Sequence, residues 1–125
     1  MSHAITWFEI PVNGINRAMK FYATVTGRPL HRMEFGVSDD EDAVFETSEA
    51  SDLKGALLKS PQAQPSAQGS IVYLNVGSHI DQCLARATQT GGAIAQAKTA
   101  PPPGMGFFAH IIDTEGNRVG LHALN

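Results

Sequence analysis

Residues 4–12, AITWFEIPV, alternate so that Trp7 and Glu9 fall on one side and Phe8 and Ile10 on the other, the two-residue period of a half-buried strand. The period then lengthens. Ile15, Ala18, Met19, Tyr22 and Val25 recur at helical spacing, and Gly27 follows where a left-handed C-cap belongs. Three short strands are expected next, at residues 30–37, 43–47 and 55–59, separated by the polar turns SDDED (38–42) and SEASD (48–52). Residues 60–68, SPQAQPSAQ, have the Pro, Gln and Ser content of a mobile linker.

The pattern then starts again. A strand is expected at 70–76, and a helix at 80–90 with Ile80, Cys83, Leu84 and Ala87 on one face, stopped by Gly91 and Gly92. A strand at 94–99 leads into APPPGMG (100–106), a stiff loop. FFAHIIDTEGNRVGLH (107–122) reads as a β-hairpin closed by a turn containing Gly116, with Asp113 and Asn117 suited to bonding the turn backbone. With Asp113 opposite Arg118, His110 falls beside Leu121 and His122 beside Ala109, so the two histidines turn to opposite faces; a one-residue change of register reverses this.

A shift of 64 residues overlays the halves, placing Val12 on Val76, Gly27 on Gly91, Lys54 on Arg118 and Leu57 on Leu121. Each half is then a βαβββ unit and the class is α+β. One domain spans residues 1–125, with module 1 at about 4–60, the linker at about 60–68 and module 2 at about 69–125.

Composition narrows the partners. Nine basic and twelve acidic residues give a net charge of -3, and the basic ones are scattered, which argues against a nucleic-acid footprint. No apolar run approaches the roughly 20 residues needed to span a bilayer, and the first residues lack the basic start and apolar core of a secretion signal. A cytoplasmic protein with no membrane partner is expected. Cys83, the single cysteine, suits a buried reduced thiol.

The paired βαβββ layout, FY at Phe21 and Tyr22, VTG at 25–27 and the DxEGNxxGL hairpin at 113–121 together resemble the vicinal oxygen chelate superfamily. That group contains glyoxalase I, extradiol dioxygenases, fosfomycin-resistance enzymes and bleomycin-resistance proteins. The resemblance implies a curled eight-stranded mixed sheet, a cup with the helices on its outer face, in a chain that forms a homodimer. It fixes chemistry poorly, because one scaffold hosts several unrelated reactions.

In metal-dependent members, as the resemblance implies, ligands to a divalent ion come from the first and fourth strands of each module. Carried over, those positions are Trp7, Ala56, Ile71 and Gly120. None offers the imidazole, carboxylate or thiolate a catalytic divalent ion takes. No metal and no cofactor are expected, with a divalent metal recruited through other side chains as the alternative.

Strand alternation puts Glu9 beside Trp7, Tyr73 and Asn75 beside Ile71, and His122 beside Gly120. Trp7, Tyr73 and Asn75 are therefore candidate ligand contacts, joined by Met105 from the proline loop and by Phe107, or Phe108 if the register differs. Glu9 and His122 are candidate acid–base groups. A buried carboxylate satisfied by Tyr73 or Asn75 would leave the same sequence, a lone tryptophan is as readily core, and the loop is as readily a plain connection. Phe8, Phe21, Tyr22, Phe35, Phe45 and Leu84 are expected core. The function expected is metal-free binding of a small organic molecule, in the manner of glyoxalase/bleomycin-resistance proteins. Two alternatives stand beside it: an isomerase or lyase using Glu9 and His122 as proton carriers or as ligands of a recruited ion, and a protein that sequesters an antibiotic.

Overall fold

The computed structural model describes residues 3–34 and 39–125. Its elements run β1 (Trp7–Pro11), α1 (Ile15–Thr26), β2 (Leu30–Met33), β3 (Glu41–Phe45) and β4 (Lys54–Lys59), followed by β5 (Tyr73–Gly77), α2 (Ile80–Gln89), β6 (Ala93–Thr99), β7 (Phe107–Ile112) and β8 (Arg118–Ala123). The βαβββ plan therefore occurs twice. Within each half the outer strands pair antiparallel and the first pairs parallel with the last, giving the orders β1-β4-β3-β2 and β5-β8-β7-β6. The ladders stay within each set of four, so the cup is built from two mixed sheets and is unclosed. The strand expected at 30–37 is described over Leu30–Met33, and Phe35 lies outside the described residues.

The helices sit on one side because only one face of each is apolar. Ile15, Ala18, Phe21, Tyr22 and Val25 of α1, and Ile80, Cys83, Leu84 and Ala87 of α2, are buried. They share a continuous core with Ile10, Phe45 and Leu57 of one sheet and Leu74, Ile111 and Leu121 of the other. Phe8 packs against its margin, 5.8 Å from the Phe45 ring. Gly27 ends α1 with φ 70°, the left-handed cap its position calls for. The internal repeat survives in the ladders: Glu9 pairs with Ala56 and Tyr73 with Gly120, the 64-residue shift in both strands. The helix starts, Ile15 and Ile80, lie one residue further apart. An irregularity between Asn75 and Gly77 absorbs the extra residue.

The turn between β7 and β8 also holds the halves together. Asp113 Oδ1 accepts the backbone N–H groups of Glu115 and Asn117, and its Oδ2 accepts the Tyr22 hydroxyl of α1 at 2.5 Å. Asn117 Nδ2 donates to the Pro11 carbonyl at 2.6 Å, while its Oδ1 accepts Ser66 N–H and so ties down residues 60–68. Glu115 receives the N–H groups of Asn13 and Gly14 at the start of α1. Among the described residues no helix is long and apolar enough to cross a membrane.

Candidate functional site

Strand alternation gives each sheet a face packed under the helices and a face turned away from them. On module 1 the second face carries Trp7, Glu9, Asp42, Val44 and Ala56, since Glu9 pairs with Ala56, Ala56 with Val44, and Asp42 with Leu58. Trp7 Nε1–H donates to Glu9 Oε2 at 3.3 Å. Trp7, Met33 and Val44 line a predominantly apolar depression of about 360 Å³, with His31 and Lys54 at its margin. Asp42 is buried, and its carboxyl is pushed up from the usual range by desolvation and by the charges of Glu9 and Asp40.

On module 2 the corresponding face carries Tyr73, Asn75, Phe108, His110, Gly120 and His122. The β7–β8 ladder pairs His110 with Gly120 and Phe108 with His122, one residue away from the register expected from the sequence. His110 and His122 therefore share a face. The cause is the turn: Asp113 N–H bonds the Asn117 carbonyl at 2.9 Å, leaving a three-residue loop whose last member, Gly116, has φ 96°. The same register sends Phe107 to the helix side, where it packs on the core with Lys98 Nζ 4.4 Å from its ring centroid. Phe108 takes the open face, its ring 6.1 Å from Tyr73 and 5.9 Å from His110.

Three side chains from three strands form a hydrogen-bonded chain there. Arg118 Nε–H donates to His110 Nδ1 at 2.9 Å, and His110 Nε2 lies 2.6 Å from the Tyr73 hydroxyl. His110 is 7% exposed, and burial, then the charge of Arg118, lowers its pKa. A neutral imidazole favoured by the fold contributes stability that is complete above the unfolded value of about 6.5 and is lost as pH falls towards the lower folded value. Urea midpoints between pH 8 and 5 should fall with pH, and His110→Gln should flatten that slope; an unchanged slope would contradict the burial effect.

The remaining candidates are spread over neighbouring depressions. Glu9 shares a cavity of about 200 Å³ with Arg118, Ser70 and Val72, lined by residues of both modules. Tyr73 and Asn75 line one of about 470 Å³ with Phe8, Arg28 and Lys54, and Asn75 Oδ1 accepts Gly77 N–H. His122 Nε2 must carry a proton, because its partner at 2.7 Å is the Met105 carbonyl. Met105 itself projects from the loop, 59% exposed. Glu9 and His122 are not joined to each other: Glu9 accepts from Trp7, and His122 donates to the Met105 carbonyl. Sequence alone turns His110 to the face opposite His122 and gives Arg118 no role, while Phe108 enters only as the alternative to Phe107 and Gly120 only as a position without a donor; a Gly at the fourth place of a five-residue turn, the mark of a three-residue hairpin loop, is the signal that places them.

The positions where the resemblance puts metal ligands offer no donor, and both His110 ring nitrogens have protein partners. Among the described residues no group of three or more His, Cys, Asp and Glu is arranged to hold an ion. The side chains present do not fit a divalent metal at the inherited positions.

Residues 4–121 match the family model for the glyoxalase/bleomycin resistance protein/dioxygenase superfamily. Among curated proteins none matches the chain. Among solved structures, a hypothetical protein, SA1046, from S. aureus superposes with a TM-score of 0.70 at 16% identity, over 98% of this chain and 95% of that one. TnmS3, an antibiotic binding protein from Streptomyces sp. CB03234, gives 0.66 at 25% identity, over 98% and 96%. The genomically encoded fosfomycin resistance protein FosX from Listeria monocytogenes gives 0.66 at 14%, over 98% and 94%.

Proposed function

The chain belongs to the glyoxalase/bleomycin resistance protein/dioxygenase superfamily, and from that premise we propose that it binds a small organic molecule, without a resident metal ion, on the sheet faces turned away from the helices. One observation carries the reading: those faces leave Trp7 39%, Met33 48% and Tyr73 50% exposed, interleaved with a few polar groups. Large apolar side chains left open beside convergent polar ones are what a ligand surface offers and a solvated sheet does not. The absence of a donor at Trp7, Ala56, Ile71 and Gly120 supports the metal-free part. The proposal includes a homodimer, supported by the exposed apolar Ile71 and Ile94, and a cytoplasmic site, supported by the buried free thiol of Cys83.

A narrower reading takes the ligand to be an antibiotic. It is favoured by the likeness to TnmS3, which spans nearly all of both chains.

Trp7 is the single tryptophan, so intrinsic emission reports on this surface. Titration with bleomycin, fosfomycin and a panel of aromatic metabolites should give at least one compound that shifts that emission and raises the melting temperature. At a hundred times its dissociation constant such a compound stabilises by about 2.7 kcal/mol, and Trp7→Ala should weaken it about tenfold. A panel that moves neither signal counts against the reading. Stoichiometric zinc, nickel or iron in purified protein, lost on Glu9→Gln or His122→Gln, would remove its metal-free part.

A further inference from the structure

The Arg118, His110, Tyr73 chain has a direction, and the direction decides what it can recognise. A guanidinium keeps its protons in a folded protein, so Arg118 Nε–H donates and His110 Nδ1 accepts. The neutral ring then carries its hydrogen on Nε2, which points at the Tyr73 oxygen 2.6 Å away. With that oxygen accepting from His110, the hydroxyl hydrogen of Tyr73 is left to be donated outward. Half of the Tyr73 surface is open to receive a partner.

We propose that Tyr73, oriented by His110 and Arg118, is a hydrogen-bond donor to an acceptor oxygen on the bound molecule, and that the ligand is an aryl or conjugated carbonyl compound or its enolate or phenolate form. Two features select this class. A donor backed through imidazole by a guanidinium stabilises negative charge on its acceptor and disfavours an amine cation. The Tyr73, Phe108 and His110 rings, 5.4 to 6.1 Å apart, form an aromatic wall beside the hydroxyl that suits a planar conjugated system.

Gly120 makes the arrangement possible. It pairs with both Tyr73 and His110, and a Cβ there would overlap the Tyr73 ring. This is the place at which the resemblance puts the fourth-strand metal ligand of module 2. The Tyr73 ring edge, at Cδ1 and Cε1, lies where a side chain at 120 would have to start, so only glycine there lets the phenol cross this strand towards His110.

The inference rests on the ligand-binding reading, and two measurements keep the two apart. The first compares 2-acetylnaphthalene with 2-isopropenylnaphthalene, which differ by exchange of C=O for C=CH2. The protein should bind the ketone about tenfold more tightly, Tyr73→Phe should bind both alike, and Gly120→Ala should lose the preference while keeping its circular dichroism spectrum. Equal binding by the unaltered protein overturns the acceptor claim and leaves the binding surface standing; binding of neither counts against both. The second needs no ligand. Long-range 15N–1H spectra of His110 at pH 7.5 should show the Nε2–H tautomer, mixing with the Nδ1–H form in Arg118→Met. An Nδ1–H tautomer in the unaltered protein would overturn the direction of the chain, and with it the donor role, whatever binds.

Discussion

Replacing Glu115 with alanine is expected to destabilise the fold by about 3 kcal/mol, although the residue sits in a surface turn. Its side chain is fully buried. Oε1 accepts the N–H groups of Asn13 at 2.9 Å and Gly14 at 2.7 Å, and Oε2 accepts Thr114 Oγ1–H at 2.9 Å and Arg17 Nε–H at 2.7 Å. The N-cap of α1 is Gly14, which has no side chain to offer. The other module therefore supplies the cap, and a carboxylate at a helix N-terminus also meets the positive end of its dipole. Alanine removes the acceptor of both backbone donors and of Arg17 at one stroke. Glutamine, which keeps one oxygen but sets an amide against Arg17, should cost roughly half as much.

Acid adds a second signature. The hydrogen bond from Arg17 chiefly, helped by those from Gly14, Thr114 and Asn13 against the effect of burial, lowers the Glu115 pKa from 4.5 to about 2. The unfolded chain thus takes up the proton first. Stability from this group is complete above pH 4.5 and is lost as pH falls towards 2. Glu115→Gln should show a shallower acid limb in thermal melts, and a limb of unchanged steepness together with an unchanged midpoint at pH 7 would refute the account.

Asp113→Ala is expected to cost more, about 4 kcal/mol. The residue is 4% exposed and accepts four hydrogen bonds: from Glu115 N–H at 2.8 Å, Asn117 N–H at 2.9 Å, Asn117 Nδ2 at 3.0 Å and Tyr22 O–H at 2.5 Å. Tyr22 is wholly buried between Phe21 and Phe45, both edge-on to its ring. Burial and the neighbouring Asp113 raise its pKa well above the ordinary value, which keeps the hydroxyl protonated as a donor. Alanine leaves that hydroxyl and the turn amides without partners. Tyr22→Phe removes one charge-assisted bond and should cost about 2 kcal/mol. Combined with Asp113→Asn, it should give a double-mutant coupling above about 1 kcal/mol in urea denaturation; strictly additive losses would show that the two groups do not act together.

The repeated βαβββ plan, the helix faces and most of the core were legible because burial enforces a period: Tyr22, Val25, Cys83 and Leu84 recur where one face must be dry. Register was less legible. Counting apolar runs up to Asp113 and from Val119 does not say whether the turn spends three residues or four, and that single residue decides which way His110 and Phe107 point. The left-handed glycine at 116 resolves it, but only once the Asp113 to Asn117 closure is known. Trp7, Glu9, Tyr73, Asn75 and His122 could be assigned to the open face by alternation alone. Arg118, whose role depends on reaching across to His110, and Glu115, whose partners lie about a hundred residues away in sequence, could not.

Among the described residues module 1 has no counterpart to this grip. Its turn before β4 bonds within itself, with Glu49 N–H bonded to Asp52 and Lys54 Nζ donating to the carbonyls of Glu49, Ala50 and Asp52. The start of α2 is served instead by Asn125, through its side chain to His79 N–H and its carbonyl to Ile80 N–H. Two halves that share a plan fit as lock and key: a tandem made from two copies of the first would have strikes and no bolt.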